Sequence, residues 1–325
     1  MWTALSLWVL HIAGFAIYGA LALRSIDAGA SSWPWIAGVP LVYVSLIAAF
    51  TLFDFALSWI QRAPRPPEQQ IGPARALRMI VTEFRALLGS PWRMMTYRLR
   101  VRDPEPAQAT LPVVLVHGVL CNAGVWTSIQ QKLAAAGIGP VYALSYGPPL
   151  HPIAVFSAQL ERLIERACAD TGARRVVVVG HSMGGLVARD LLRTFGSSKV
   201  ARVITLGTPH HGSGFAWIAP GACLAQIRPG STWLAALPPA PASPPFVSLW
   251  SPHDSMVTPQ TSCLLEGATN VAFLGIGHNA LLHDDAVFAR VVEEIAAARQ
   301  DMNSGRTNDG SQRAREKPGF RFSRE

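Results

Sequence analysis

The chain has 325 residues, enough to bury one sizeable core and a small second module. Half of the residues are hydrophobic, 15% are charged and the formal net charge is +8. This composition excludes a disordered chain and predicts that part of the protein contacts lipid. The positive charge favours an anionic membrane surface as a partner. The sequence contains no zinc-finger spacing or RNA-binding signature, so we expect no nucleic-acid partner.

Two long apolar stretches begin the chain. The first, Thr3 to Leu23, contains no charged residue over roughly 20 positions, the length needed to cross a bilayer. The second runs from Trp33 to Ile60 and contains a single acidic residue, Asp54. We predict a membrane anchor over residues 1–60 with two transmembrane helices. A cleaved signal peptide is the alternative for the first stretch.

Basic residues are distributed unevenly around these predicted spans. Arg24 lies in the short loop between them. The arginines that follow the second span are Arg62, Arg65, Arg75 and Arg78. Because positively charged flanks stay in the cytoplasm, we predict a two-pass protein of a bacterial-type inner membrane with a cytoplasmic catalytic domain. A periplasmic domain is the alternative, and only there would a disulfide between Cys223 and Cys263 be expected.

Residues 61–110 are predicted to connect the anchor to a larger domain. The first part, residues 61–70, is polar and rich in proline, so we expect a linker there. Apolar residues then recur at helical spacing, at Leu77, Ile80, Val81, Phe84, Leu87 and Leu88. This predicts an amphipathic juxtamembrane segment, which either lies at the membrane interface or packs on the larger domain.

From about residue 111, short apolar segments alternate with helical segments, which predicts a mainly parallel sheet covered by helices. The predicted strands are Pro112–Val116, Val141–Leu144, Arg175–Val179, Val203–Leu206, Phe246–Trp250 and Val271–Leu274. The main predicted helices are Ile153–Ala169, Gly184–Thr194 and Asp285–Ala298. We therefore predict a catalytic domain over residues 111–298 and a disordered tail over residues 299–325.

The third of these strands leads into the pattern G-x-S-x-G, in which the serine is Ser182. Such a serine stands on a sharp turn between a strand and a helix, which exposes its hydroxyl above the sheet. Gly180 and Gly184 remove side chains that would crowd that turn. The pattern predicts that Ser182 is a nucleophile.

A serine hydroxyl needs a general base and a group that orients this base. Asp254 and His278 each follow a predicted strand, in the chain order serine, acid, histidine. We predict that His278 is the base and that Asp254 orients it. The remaining acid and histidine candidates fit less well, because Asp284 and Asp285 are placed to cap the last helix and His253 precedes the acid.

An oxyanion produced by attack on a carbonyl needs backbone N–H donors. We predict that Met183, directly after the nucleophile, supplies one donor and that Val119, in the loop after the first strand, supplies the other. The preceding His117 is expected to shape this loop. The sequence contains neither H-E-x-x-H nor G-x-G-x-x-G, so no metal or nucleotide cofactor is predicted.

The motifs VVLVHGV, GHSMGG, VARVITLGTPHHGS and GIGHNALLH together resemble those of small bacterial triacylglycerol lipases of the α/β-hydrolase superfamily. The resemblance covers about residues 112–298. It implies an α/β-hydrolase fold with a mainly parallel sheet, triad roles for Ser182, Asp254 and His278, and oxyanion roles for Val119 and Met183. The substrate implied is a lipid or other carboxylic ester, cleaved through an acyl-enzyme.

Two departures from the lipase pattern leave alternatives open. The resembling lipases are usually secreted, whereas this chain begins with two predicted spans. A long segment at residues 212–245 mixes aromatic residues with Pro, Ala and Gly, and it is either a lid over an apolar pocket or a structural excursion. A thioesterase or protein deacylase uses the same triad, and a non-catalytic membrane scaffold is the alternative of another class.

Overall fold

The computed structural model describes residues 2–304. The helices are α1 Trp2–Asp27, α2 Trp33–Ile60, α3 Pro73–Met95, α4 Tyr97–Arg100, α5 Thr127–Ala135, α6 Ile153–Thr171, α7 Met183–Phe195, α8 Ala222–Ile227, α9 Thr232–Ala235 and α10 Asp285–Asn303. The strands are β1 Val113–Val116, β2 Val141–Leu144, β3 Val176–His181, β4 Val200–Leu206, β5 Phe246–Trp250 and β6 Thr269–Ala272.

The six strands form one parallel sheet in the order β2-β1-β3-β4-β5-β6. Alternate side chains of a strand face opposite sides of a sheet. In β1, Val114 and Val116 pack in one buried cluster with α6 and α7, while Val113 and Leu115 pack in a second with α5 and α10. The apolar run of β1 thus follows from burial on both faces, and the prediction of a parallel sheet covered by helices is confirmed.

The predicted positions of most elements agree with the structure. β2 and β5 have the predicted bounds, β3 begins one residue and ends two residues later than predicted, and β4 begins three residues earlier. The last strand was predicted two residues too late, at Val271–Leu274 instead of Thr269–Ala272. It is an edge strand with half-buried or exposed side chains, so hydrophobicity does not mark its ends.

The last helix also continues beyond its predicted end at Ala298. Arg202 of β4 forms a buried ion pair with Glu294 and a second ion pair, at 2.8 Å, with the partly exposed side chain of Asp301. This second pair fixes the final turn of α10, which ends at Asn303. The remainder of the predicted tail, residues 305–325, lies outside the described residues.

Helices α1 and α2 are long and apolar enough to cross a membrane, and most of their side chains are exposed. They are joined to the rest of the protein through α3, which contacts both of them. Tyr43 of α2 donates a hydrogen bond to the Leu88 carbonyl at 3.0 Å. Met79, Glu83 and other residues of α3 are buried. These contacts favour the packed alternative for the amphipathic segment.

The predicted linker is anchored to the catalytic domain. It contains one 3-10 turn, Pro67–Gln69. Arg65 donates to the Pro252 carbonyl at 2.7 Å, and Gln61 accepts from Thr258 at 2.7 Å. The segment therefore runs along the loop that follows β5, which carries one of the predicted catalytic residues.

The buried ion pair on β4 gives a test of the fold. We expect Arg202→Ala to lower the free energy of unfolding by about 3 kcal/mol, because it leaves the Glu294 carboxylate buried with weaker compensation. Denaturant unfolding of the detergent-solubilised protein measures this loss. Lys199→Ala is the control, since its ion pair with Glu165 is exposed and should contribute little. If Arg202→Ala and Lys199→Ala lowered the free energy of unfolding equally, the buried ion pair would not have the stabilising role assigned to it.

Candidate functional site

Ser182 is the single residue between β3 and α7. Its backbone has φ 55° and ψ −129°, a conformation that non-glycine residues rarely adopt and that costs on the order of 1–3 kcal/mol. Two hydrogen bonds hold the turn in place. The Ser182 N–H donates to the Leu206 carbonyl at 2.9 Å, and the Thr208 hydroxyl donates to the Ser182 carbonyl at 2.8 Å. The turn therefore directs the serine side chain away from the sheet.

Glycine is required on both sides of this turn by close backbone approach. A Cβ atom at Gly180 would lie 2.7 Å from the Gly185 nitrogen, and one at Gly184 would lie 2.1 Å from the Val116 carbonyl oxygen. Both contacts are with backbone atoms, which cannot rotate away. The two glycines of G-x-S-x-G thus allow α7 to start directly above β1 and β3.

Asp254 and His278 meet in a buried hydrogen bond. The His278 Nδ1 atom lies 2.9 Å from Oδ2 and 3.0 Å from Oδ1 of Asp254. Oδ1 also accepts the backbone N–H groups of Met256 and Val257, each at 2.8 Å. These bonds fix the carboxylate, and the carboxylate in turn fixes the orientation of the imidazole ring.

The electrostatic surroundings of His278 favour a protonated ring more than those of an exposed histidine. Burial alone lowers the pKa of His278, but the Asp254 carboxylate and its hydrogen bond, together with Glu83, raise the pKa above its ordinary value. The neighbouring His181 behaves in the opposite way, because burial and the His278 charge lower its pKa. Of these two histidines, His278 is therefore the one whose surroundings stabilise a bound proton, as a general base requires.

The loop after β1 lies directly against Ser182. A Cβ atom at Gly118 would lie 2.9 Å from the Ser182 Cβ. The Tyr146 hydroxyl lies 2.6 Å from the His117 carbonyl oxygen and 2.9 Å from that of Gly118, and its ring stacks on His117. Burial lowers the pKa of His117 to about 3, so this histidine stays neutral and supports the loop.

A buried carboxylate from α3, Glu83, holds the loop that carries His278. Its Oε1 accepts the Asn279 N–H at 2.9 Å, the Asn279 side-chain amide at 2.8 Å and the Ser255 hydroxyl at 3.2 Å. Its Oε2 accepts the Ala280 N–H at 2.8 Å. Burial raises the pKa of Glu83, while these hydrogen bonds oppose the rise. The juxtamembrane helix thereby fixes residues beside both Asp254 and His278.

The end of α2 contacts the same loop. Ser58 donates to the Asp254 carbonyl at 2.8 Å and accepts from Gln260 at 2.7 Å. Asp54, one turn earlier, is fully buried. A polar residue at the end of an apolar helix therefore supports the loop that carries Asp254.

Ser182 and His278 line one cavity of about 360 Å³. The predicted oxyanion residues, Val119 and Met183, line it as well. Apolar side chains from three parts of the chain complete the wall, and they include Ile47, Phe50, Leu87, Met94, Phe215 and Leu224. The first four of these residues belong to α2 and α3, so these two helices form part of the cavity wall.

The other histidines near the site have structural surroundings. His253 accepts the Gly275 N–H at 3.2 Å, and burial lowers its pKa to about 4. His283 lies 3.2 Å from an Arg93 guanidinium nitrogen, and burial lowers its pKa to about 4. Asp284 accepts two N–H groups at the start of α10. The predicted cap is confirmed at Asp284, whereas Asp285 is the first residue of α10 and pairs with Lys132 at 2.6 Å. His278 is the histidine paired with an acid.

Glu83 and Ser58 are the residues that sequence reasoning missed. Glu83 appears as one acidic position in an arginine-rich amphipathic helix, and Ser58 as one polar position in an apolar span. The signal in the sequence is weak: Glu83 falls within the apolar stripe of α3. Within residues 2–304, no three His, Cys, Asp or Glu side chains form a cluster suited to a metal ion, and all four cysteines are free.

The model of the alpha/beta hydrolase family matches residues 113–302. A triacylglycerol lipase of Pseudarthrobacter phenanthrenivorans is 34% identical over 123 residues, which cover 34% of this chain and 36% of the lipase. A palmitoyl-protein thioesterase-dolichyl pyrophosphate phosphatase fusion of Schizosaccharomyces pombe is 30% identical over 124 residues, covering 35% of this chain and 20% of that protein.

Among solved structures, Aspergillus fumigatus lipase B superimposes with a TM-score of 0.56 at 17% identity, covering 78% of this chain and 81% of the lipase. The matches to the curated relatives span about a third or less of their length. The family match covers more than half of this chain and includes the whole sheet and the residues of the cavity from Gly118 onward. The chain belongs to the alpha/beta hydrolase family.

Proposed function

We propose that the protein is a membrane-anchored serine hydrolase that cleaves carboxylic esters of lipids. The observation that carries the proposal is the pairing of a buried Asp254–His278 hydrogen bond with Ser182 on a strained turn at the same cavity. The lipase homologues are compatible with a lipid or other ester as the substrate. The apolar wall of the cavity fits an acyl chain.

The reaction follows from the chemistry of these groups. The Nε2 atom of His278 takes the proton of the Ser182 hydroxyl as Oγ attacks the ester carbonyl. The N–H groups of Val119 and Met183 stabilise the oxyanion that forms. His278 then returns the proton to the leaving alkoxide, and the alcohol departs. Water then attacks the carbonyl of the acyl-enzyme while His278 takes its proton. His278 returns this proton to the Ser182 oxygen, and a carboxylic acid is released.

The segment at residues 212–245 is proposed to be a lid. It contains the short helices α8 and α9, and Phe215, Leu224 and Ile227 within it line the cavity. Trp217 and Ile218 on the same segment are exposed. Apolar residues on both the inner and the outer side suit a cover that opens at a lipid surface.

Hydrolysis of a thioester is a second candidate. The observation that favours it is the 30% identity to the thioesterase fusion protein over 124 residues. The same triad accepts a thiolate as leaving group, because acyl transfer does not fix that atom. An oxygen ester and a thioester of the same fatty acid, compared at equal concentration, distinguish the two activities.

The nucleophile gives the first test of this function. We expect Ser182→Ala to lower kcat by about 10⁴ to 10⁶ while thermal stability stays close to that of the wild type, because the substitution removes one hydroxyl at the cavity. Release of fatty acid from a lipid ester measures kcat. We expect His278→Ala to lower kcat by a similar factor. His253→Ala and His283→Ala serve as controls, and each should lower kcat much less. A Ser182→Ala rate within tenfold of wild type would refute the nucleophile and favour a non-catalytic scaffold.

Glu83 is proposed as a positioning residue that acts through His278. The general base must be neutral, so activity should fall as the pH drops through the pKa of His278, which lies above its ordinary value. We expect Glu83→Gln to lower kcat more than it changes KM, since a side-chain amide cannot accept all four bonds. It should also move the acid limb to lower pH, because a negative charge that raises the pKa is lost.

The pH profile of kcat/KM measures both effects of Glu83→Gln. Glu68→Gln is the matched control, because Glu68 is exposed on the linker. A purely structural role for Glu83 would lower the amount of folded enzyme without moving the acid limb. An unchanged acid limb at full folded yield would therefore contradict the positioning role.

We further propose that the anchor spans an inner membrane of bacterial type, with the catalytic domain in the cytoplasm. Arg62, Arg65, Arg75 and Arg78 follow the second span, whereas Arg24 lies between the spans. A reporter that fluoresces only in the cytoplasm, fused after Ser304, should be active, and a periplasmic phosphatase reporter at the same point should be inactive. The opposite result would place the domain in the periplasm.

A further inference from the structure

A second apolar cavity lies outside the hydrolase fold, between α1 and α2. This α1–α2 groove has a volume of about 570 Å³. Its walls include Gly14, Phe15, Tyr18, Val39, Leu46 and Ile47. The tyrosine hydroxyls do not make the groove polar, because Tyr18 donates to the Trp35 carbonyl at 2.8 Å and Tyr43 donates to Leu88. The groove therefore offers an apolar surface to whatever lies in it.

The α1–α2 groove adjoins the cavity of Ser182. Ile47 of α2 and Pro91 of α3 line both spaces. From Ile47 the groove follows α2 back to Val39, a distance of about 12 Å at the rise of an α-helix. Phe50, one turn beyond Ile47, faces the catalytic cavity. Ile47 and Pro91 thus stand between two neighbouring apolar cavities, one at Ser182 and one at the middle of α1 and α2.

We propose that the α1–α2 groove binds the distal part of the acyl chain of a membrane lipid whose ester group lies at Ser182. This inference rests on the proposed function, and it adds the route by which substrate arrives. The lipid would move sideways from the bilayer between α1 and α2, and its acyl chain would pass Ile47 and Pro91 into the catalytic cavity. The two helices then select long-chain substrates in addition to anchoring the enzyme.

The location of the groove explains why an acyl chain is its occupant. Both helices that form it are long and apolar enough to cross a membrane, and side chains outside the groove, such as Ile12 and Leu41, are largely exposed. An acyl chain that moves from the bilayer into the groove stays among apolar groups throughout. A route through water would expose the whole chain, which is unfavourable in proportion to its apolar area.

Gly14 provides a substitution that fills the groove without disturbing its walls. A Cβ atom at Gly14 would meet nothing within 4 Å, although Gly14 lines the groove. We expect Gly14→Leu to lower the ratio of kcat/KM for a palmitoyl ester to that for a butyryl ester at least tenfold relative to wild type. Both esters are supplied to the full chain reconstituted in phosphatidylcholine vesicles.

Gly19→Leu is the matched control for this experiment. Gly19 lies on the same helix, its Cβ would also meet nothing within 4 Å, and it is not a lining residue of the groove. The change in helix propensity is the same in both variants. A palmitoyl-to-butyryl ratio for Gly14→Leu equal to that of Gly19→Leu would overturn the proposal.

A chemical probe separates this proposal from the proposed function. A long-chain fluorophosphonate that carries a diazirine at the far end of its alkyl chain should attach to Ser182 with loss of fluoride. On illumination, the diazirine should cross-link to peptides of α1 or α2. Attachment followed by cross-links confined to residues 212–245 would overturn the groove while leaving the serine hydrolase intact. Failure to attach at all would refute both.

Discussion

The Glu83 carboxylate links the N-terminal helices to the catalytic loops. It accepts four hydrogen bonds, from the backbone of Asn279 and Ala280 and from the side chains of Asn279 and Ser255. A buried carboxylate is unfavourable unless its oxygens are satisfied, so α3 and the two loops stabilise one another. Ser58 adds a bond from α2 to Asp254. Helices α2 and α3 are therefore structural parts of the site.

A second constraint acts at the opposite side of the cavity. Ser182 keeps its unfavourable backbone conformation because β3, α7 and the loop after β4 hold it from three directions. Only glycine at positions 180 and 184 allows these elements to approach so closely. The rigid turn and the hydrogen-bonded Asp254–His278 pair bring Ser182 and His278 to one cavity. Preorganisation of this kind is what acyl transfer requires.

Local sequence patterns predicted the hydrolase fold well because each pattern has a local physical cause. The cap at Asp284 and the contact of Gly180 with Gly185 each act within a few residues, and the apolar run of β1 marks a strand that is buried along its whole length. The predicted bounds were wrong where burial does not mark the end of an element, as at β6. They were also wrong where a contact with a distant residue fixes that end, as the contact with Arg202 does for α10. The role of Glu83 could not be predicted from the sequence, because the residues that it binds lie nearly 200 positions away.

The central claim is that Ser182 is a nucleophile activated by His278 in a cavity closed partly by the N-terminal helices. Its most direct test is the site of covalent modification. After brief treatment of the full chain with a fluorophosphonate, peptide mass spectrometry should locate a single adduct on Ser182, and the His278→Ala variant should form it far more slowly. An adduct on another serine, or labelling that is equally fast in His278→Ala, would contradict the account.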